Sequence, residues 1–238
     1  MQSPLVAFLF CIKIFIEKIS YTMKYLKEFE NHTQYEAYIA SEDKILPNVS
    51  RCVQEDDVHY TPFDPYNGHE YVDLGLPSGT KWATMNIGAT SETEYGNYYQ
   101  YGKGADTYQV TKGQPSYSGT ENPLALSADT AAQVWGGSWH MPTSAQCQEL
   151  IDNTTNEWTT IGGINGCKFT ASNGNYLFFP ASGRIETTVP DGIGRFGDYW
   201  TSSHNDNNYA YYLIMNSVRT SIINNPYSLG YAIRGVVD

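Results

Sequence analysis

Tyr71-Val72-Asp73-Leu74-Gly75-Leu76-Pro77-Ser78-Gly79-Thr80-Lys81-Trp82-Ala83 is the stretch that decides the fold. Apolar and polar residues alternate from Tyr71 to Leu76, as on a strand with one buried face. Pro77-Ser78-Gly79 supplies turn residues, and Lys81-Trp82-Ala83 resumes the extended pattern, which predicts a hairpin. Upstream the texture differs. Pro47, Pro62, Pro65 and Gly68 punctuate a stretch sprinkled with Glu55, Asp56, Asp57, Asp64 and Glu70, which reads as a linker ending near residue 68. Before it, residues 24–44 predict a short strand and a helix. Thr33 and Glu36 form a capping box there, and Tyr35, Tyr38 and Ile39 share one face. The apolar run over residues 4–16 is interrupted by Lys13 and is short for a bilayer span. Residues 1–22 are open to three readings: an atypical export signal, a membrane-associating helix, or an upstream extension with translation starting at Met23. The last is favoured. The organisation expected is residues 1–22 as leader or extension, 23–68 as a small arm and linker, and 69–238 as the domain.

Downstream of the hairpin, residues 92–125 are rich in Gly, Tyr and Ser and predict a long loop region. Ser127 can cap a helix that runs to Trp135 and stops at Gly136-Gly137. Thr143 and Gln146 form a second capping box, followed by the apolar stripe Cys147, Leu150 and Ile151. Strands are expected at Trp158–Ile161, Gly166–Ala171, Tyr176–Pro180, Tyr209–Met215, Val218–Ile223 and Tyr231–Val237. The class is α+β, with two short helices, a small mostly antiparallel sheet and long ordered loops.

Composition removes several functions. The 238 residues carry 25 Asp and Glu against 14 Lys and Arg, a net charge of −11, which disfavours nucleic-acid binding. With 14% aromatic and 16% charged residues, 20 of them Tyr, the chain is not of disordered type. The four Cys are too few for a disulfide scaffold, and Cys147 and Cys167 read as buried free thiols. His32, His59, His69, His140 and His204 show no zinc spacing, and there is no Cys-x-x-Cys, phosphate loop or Gly-x-Ser-x-Gly elbow. No catalytic residue, metal ligand or cofactor is expected, and no enzyme activity.

Five blocks carry a resemblance. They are Tyr71–Ala83, Gly136-Gly137-Ser138-Trp139-His140-Met141-Pro142-Thr143, Phe179-Pro180-Ala181-Ser182-Gly183, Tyr199-Trp200-Thr201-Ser202-Ser203 and Ala232-Ile233-Arg234-Gly235-Val236. In order and spacing they resemble the Fibrobacter succinogenes major paralogous domain, a family of Bacteroidales and their phages. Over residues 69–238 the resemblance implies a C-type-lectin-like, formylglycine-generating-enzyme-like fold. Trp82, Trp139 and Trp200 are then expected in the core, and Arg234 should need a carboxylate or carbonyl partner. The lectin relatives bind sugar through calcium, but Glu121-Asn122-Pro123 has their residues in the wrong order and lacks the second element. The enzyme relatives need a reactive Cys pair near the carboxyl end, and no Cys follows Cys167.

Residues 199–231 point to binding. Tyr (199, 209, 211, 212, 227, 231), Asn (205, 207, 208, 216, 224, 225) and Ser (202, 203, 217, 221, 228) make up over half of them. Tyr provides rigid amphipathic contact area, while Ser and Asn provide adaptable hydrogen bonds. The plainer reading is that these are ordinary turn and strand residues. Many positions from His204 to Tyr227 carry residues reachable from AAC or AAT codons by changing adenines alone. This is similar to the variable region of lectin-like proteins diversified by retroelements. The expected ligand-binding residues are His204, Asn205, Asn207, Asn208, Tyr212, Asn216, Arg219, Ser221, Asn224, Asn225 and Tyr227. Leu213, Met215, Ile223 and Ile233 would hold the scaffold while the alternate, solvent-facing positions contact a partner. The expected function is adhesion or receptor binding at a phage particle or bacterial surface, toward a cell-surface protein or glycan. A homo-oligomer would add avidity. A structural surface or envelope protein, or a divergent hydrolase, are the alternatives.

Overall fold

The computed structural model describes residues 66–108, 117–187, 189–205 and 208–238. The arm, the linker up to residue 65 and the expectations for residues 1–22 lie outside the described residues.

The hairpin forms as read. β1 (Tyr71–Val72) pairs antiparallel with β2 (Lys81–Ala83), Tyr71 opposite Ala83. The loop region follows, holding β3 (Tyr99–Gln100). Helix α1 (Thr130–Val134) is shorter than expected and its cap is Asp129, whose carboxylate accepts from the Ala132 amide. Helix α2 (Ser144–Asp152) has the full Thr143/Gln146 capping box. Then come β4 (Thr154–Ile161), β5 (Ile164–Ala171), β6 (Tyr176–Pro180), β7 (Arg184–Ile185), β8 (Pro190–Asp191), β9 (Phe196–Asn205), β10 (Tyr209–Asn216), β11 (Thr220–Pro226), β12 (Gly230–Tyr231) and β13 (Val236–Val237).

The strands form four small sheets rather than the single one expected: β1-β2-β13, β11-β10-β9, β3-β12-β7-β8 and β4-β5-β6. All paired strands are antiparallel, with isolated parallel bridges Gly183–Gly197 and Tyr199–Ala232. With two helices among the described residues, the class is α+β.

The sheet β11-β10-β9 is packed on both faces. Ala210, Tyr212 and Ile214 of β10 enter one core with Trp200, Trp139 and Tyr231. Leu213 and Met215 enter a second core with Tyr199, Phe169, Phe179 and Trp82, which also takes Cys147 and Leu150 of α2. Trp82, Trp139 and Trp200 are at most 1% exposed. Four of the quoted blocks adjoin the fifth, Ala232–Val236: His140 and Tyr199 bridge to Val236 and Ala232, and Ala83 and Phe179 contact Arg234. Its Nη1 donates to the carbonyls of Ala83 and Thr84, its Nη2 to Phe178 and its Nε to Asn86 Oδ1. Carbonyls and an amide, not a carboxylate, hold this charge, and the guanidinium lies 4.5 Å from the Phe179 ring centroid. Gly235 lets the rings of Trp135 and Trp139 lie against the chain, since a Cβ there would come within 2.8 Å of Trp135.

Candidate functional site

The C-terminal residues singled out by composition do not share one outward surface. Tyr212 and Tyr227 are buried, 2% and 4% exposed, and so is His204 at 6%. The reason is the double-sided packing of the sheet: alternation along β10 sends one set of side chains into each core and leaves no solvent face. Tyr227 stacks on Tyr101 at 4.7 Å and its hydroxyl donates to the Asn205 carbonyl. The His204 ring lies among Tyr101, Tyr117 and Tyr227, with Nε2 3.0 Å from the Glu121 carbonyl and Nδ1 3.1 Å from that of Asn205. Asn216 Oδ1 accepts from the Val218 and Arg219 amides and so closes the β10–β11 turn. Asn225 Nδ2 donates to the Tyr231 hydroxyl at 2.6 Å. These five side chains hold the hairpin in place.

What stays outside falls at two places. Asn208 and Asn224 are exposed toward the Tyr209 end of the hairpin, with Asn205 half-buried and Tyr209 40% exposed. Asn208 has φ of 62°, a left-handed conformation that Asn tolerates. Asn207 lies outside the described residues. At the other end, Ser217, Val218 and Arg219 form the tip, Val218 being 90% exposed. The eight residues of β10 separate the two groups by roughly 25 Å.

The tip end holds a constellation that composition did not point to. Asp198, opposite Ile214, is fully buried, and Arg184 Nη1 reaches its Oδ2 at 3.4 Å. Asp198 Oδ1 and Arg184 Nε are both buried with no hydrogen-bond partner. Beyond burial, the Asp198 charge raises the Tyr212 and Tyr231 phenols, and the exposed Arg219 favours the charged form of the carboxyl. Burial still dominates and pushes the Asp198 carboxyl up to about 7, against the lowering effect of Arg184 and Arg219. Burial likewise pushes the Tyr212 phenol up to about 12. Strand register places Ser221, Ile223 and Asn225 on this same face, half-buried. Of the expected set, Tyr212 and Arg219 interact electrostatically with Asp198 and Ser221 lies on its face two strands away, whereas Asn225, opposite Ala210, belongs to the Tyr209 end; Asp198, Arg184 and Tyr231 were not in the expected set. The one available signal was an acid in an apolar setting, Gly197-Asp198-Tyr199-Trp200.

Other polar clusters are structural. His140 Nε2 meets Asp238 at 3.3 Å, but Nδ1 faces the Met141 carbonyl, so no hydroxyl is positioned for activation. Cys147 and Cys167 are free and buried, and burial raises both thiols, Cys167 to about 11. Among the described residues no His, Cys, Asp and Glu group could hold a metal ion, and no helix is long and apolar enough to cross a membrane. A pocket of about 380 Å³ beside Val72 and Tyr176 holds Glu92 as its single charged group. No family model, curated protein or solved structure matches the chain.

Proposed function

We propose that the chain is a non-enzymatic, ligand-binding module of C-type-lectin-like fold that attaches a phage particle or cell to a surface glycan or protein. One observation carries this reading: the β10–β11 hairpin is clamped from both faces, yet keeps polar side chains exposed at both ends, with Tyr209 exposed at one of them. A rigid scaffold with adaptable edge residues loses little entropy on binding. The likeness of the five blocks to the Fibrobacter succinogenes major paralogous domain supports the fold, because four of those blocks pack against the fifth, Ala232–Val236. The contacting set under this reading is narrower than composition suggested: Asn205, Asn208, Tyr209 and Asn224 at one end, Ser217, Val218, Arg219 and Ser221 at the other. Retroelement diversification would act on these edge positions. It is tested at the gene, where a near-copy of the 3′ end and a reverse transcriptase are expected nearby; neither being present would remove it. Binding itself is tested by fluorescent labelling of the full chain and staining of Bacteroidales cells. Saturable staining is expected, and none across a broad strain panel would contradict the reading.

A further inference from the structure

We infer that the cavity beside Val72 and Tyr176 is a site for an organic cation, taking the ammonium or guanidinium end of a free amine or of a Lys or Arg side chain. The inference is independent of the hairpin ends and adds a second ligand class.

The cavity holds about 380 Å³ and is open to solvent. β1 contributes Val72, the residue after β2 is Thr84, and β6 with the turn before it contributes residues 174–178. The loop region adds Glu92, the one charged group in the lining. Val72, Leu177 and Phe178 are apolar, and Tyr176, 38% exposed, adds an aromatic ring. A largely apolar wall with few polar groups is the usual make-up of a small-ligand site, and the volume falls in the usual range.

The polar side chains select the occupant. Asn175 Nδ2 donates to the Asp73 carbonyl at 2.7 Å, and the Thr84 hydroxyl donates to that of Glu70 at 3.5 Å. Both side-chain donors are thus committed. Glu92 is half-buried, and its carboxylate makes no hydrogen bond or ion pair with a described residue. Arg234 lies behind the wall and spends its donors on Ala83, Thr84, Phe178 and Asn86. Burial lowers that guanidinium, and Tyr199 and Glu92 oppose the lowering, Glu92 without bonding to it.

An anion would meet the Glu92 charge in a chain of net charge −11. A neutral sugar would want side-chain donors as well as an acceptor, and only the acceptor remains uncommitted. An ammonium or guanidinium donates to Glu92 by a charge-assisted bond, rests its methylene stem on Val72 and Phe178, and is attracted by the Tyr176 ring. That ring already has a cation against it, Lys168 Nζ at 4.2 Å from its centroid, and Lys168 is not among the lining residues.

NMR titration of the full chain with butylamine and butylguanidine, and with the blocked amides acetyl-lysine amide and acetyl-arginine amide, tests this. The neutral counterparts are N-butylacetamide, the Nε-acetylated lysine amide and acetyl-citrulline amide. Saturable binding is expected for at least one cation, with its neutral counterpart weaker by about tenfold or more, the scale of one charge-assisted hydrogen bond. The free amines and the blocked amides separate the two sources, and saturation by either supports the site. Glu92→Gln should weaken the cation by a similar factor. Asp106→Asn removes the same charge at an exposed position outside the cavity and should leave binding unchanged. Tyr176→Leu, at an exposed ring, should weaken binding severalfold and keeps the test open if Glu92→Gln lowers the melting temperature. Equal binding of cation and neutral counterpart, equal effects of Glu92→Gln and Asp106→Asn, unaltered binding by Tyr176→Leu, or no saturation with any cation would overturn the site.

Discussion

Asp198 shows how a single buried carboxyl makes stability depend on pH. Burial sets its folded value at about 7, well above the unfolded value near 4. Between these values the folded chain holds a proton that the unfolded chain has lost. Its contribution to stability is therefore most favourable below pH 4 and declines as pH rises through 7. Asp198→Asn removes this dependence. Stability at pH 8 should rise, by at most roughly 4 kcal/mol less whatever Arg184 loses with its partner, and the slope between pH 5 and 8 should flatten. Urea melts of both proteins at the two pH values measure it, and parallel slopes would contradict the assignment. Little of this was legible beforehand, because desolvation depends on two cores closing around a position that is only an isolated acid in the sequence. Arg234 was legible in kind, since a lone charge on an apolar strand must find acceptors. The choice of carbonyls over a carboxylate follows from strand edges that meet only in the fold.

At the level of elements, local signals succeeded where the local chain decides. The Thr143/Gln146 capping box starts α2, and the Pro77-Ser78-Gly79 turn joins β1 to β2. They failed where distant partners decide. Ser127 was the expected cap of α1, yet Asp129 takes that place because its second oxygen also accepts from the Met141 amide. β9 went unread because its polar Thr201–Asn205 run has no period and its register against β10 shifts between Ala210 and Tyr212. There Thr201 Oγ1 donates to the Tyr211 carbonyl. The expected strand over 231–237 is split, since the carbonyls of Ala232, Ile233 and Gly235 accept from Trp200, Ile87 and Ala83 in turn rather than from one partner strand. Asn216 belongs at this scale, as a turn residue rather than a contact. Asn216→Ala should cost about 1–2 kcal/mol through two lost hydrogen bonds, read in thermal melts. An unchanged melt would show that the turn closes without it.

For the whole molecule, the sandwiching of β11-β10-β9 between two cores turns a composition that looked like a broad binding face into scaffold with two exposed ends. Alternation along a strand predicts a solvent face only when one side of the sheet is uncovered, and nothing local in Tyr209–Asn216 announces the second layer. The alternate residues Leu213, Met215 and Ile233 are interior as expected, and so are Tyr212 and Ile214 between them.

The central claim is that exposed hairpin ends grip the partner while buried phenols only hold the hairpin. Cell staining by three full-length proteins, compared after matching their melting temperatures by assay temperature, tests it most directly. The Asn208→Ala/Arg219→Ala/Asn224→Ala protein should lose at least about tenfold in half-saturating concentration, the scale of one to two kcal/mol, while Tyr212→Phe stains as the parent does. Undiminished staining by the triple variant, or loss confined to Tyr212→Phe, would contradict the account.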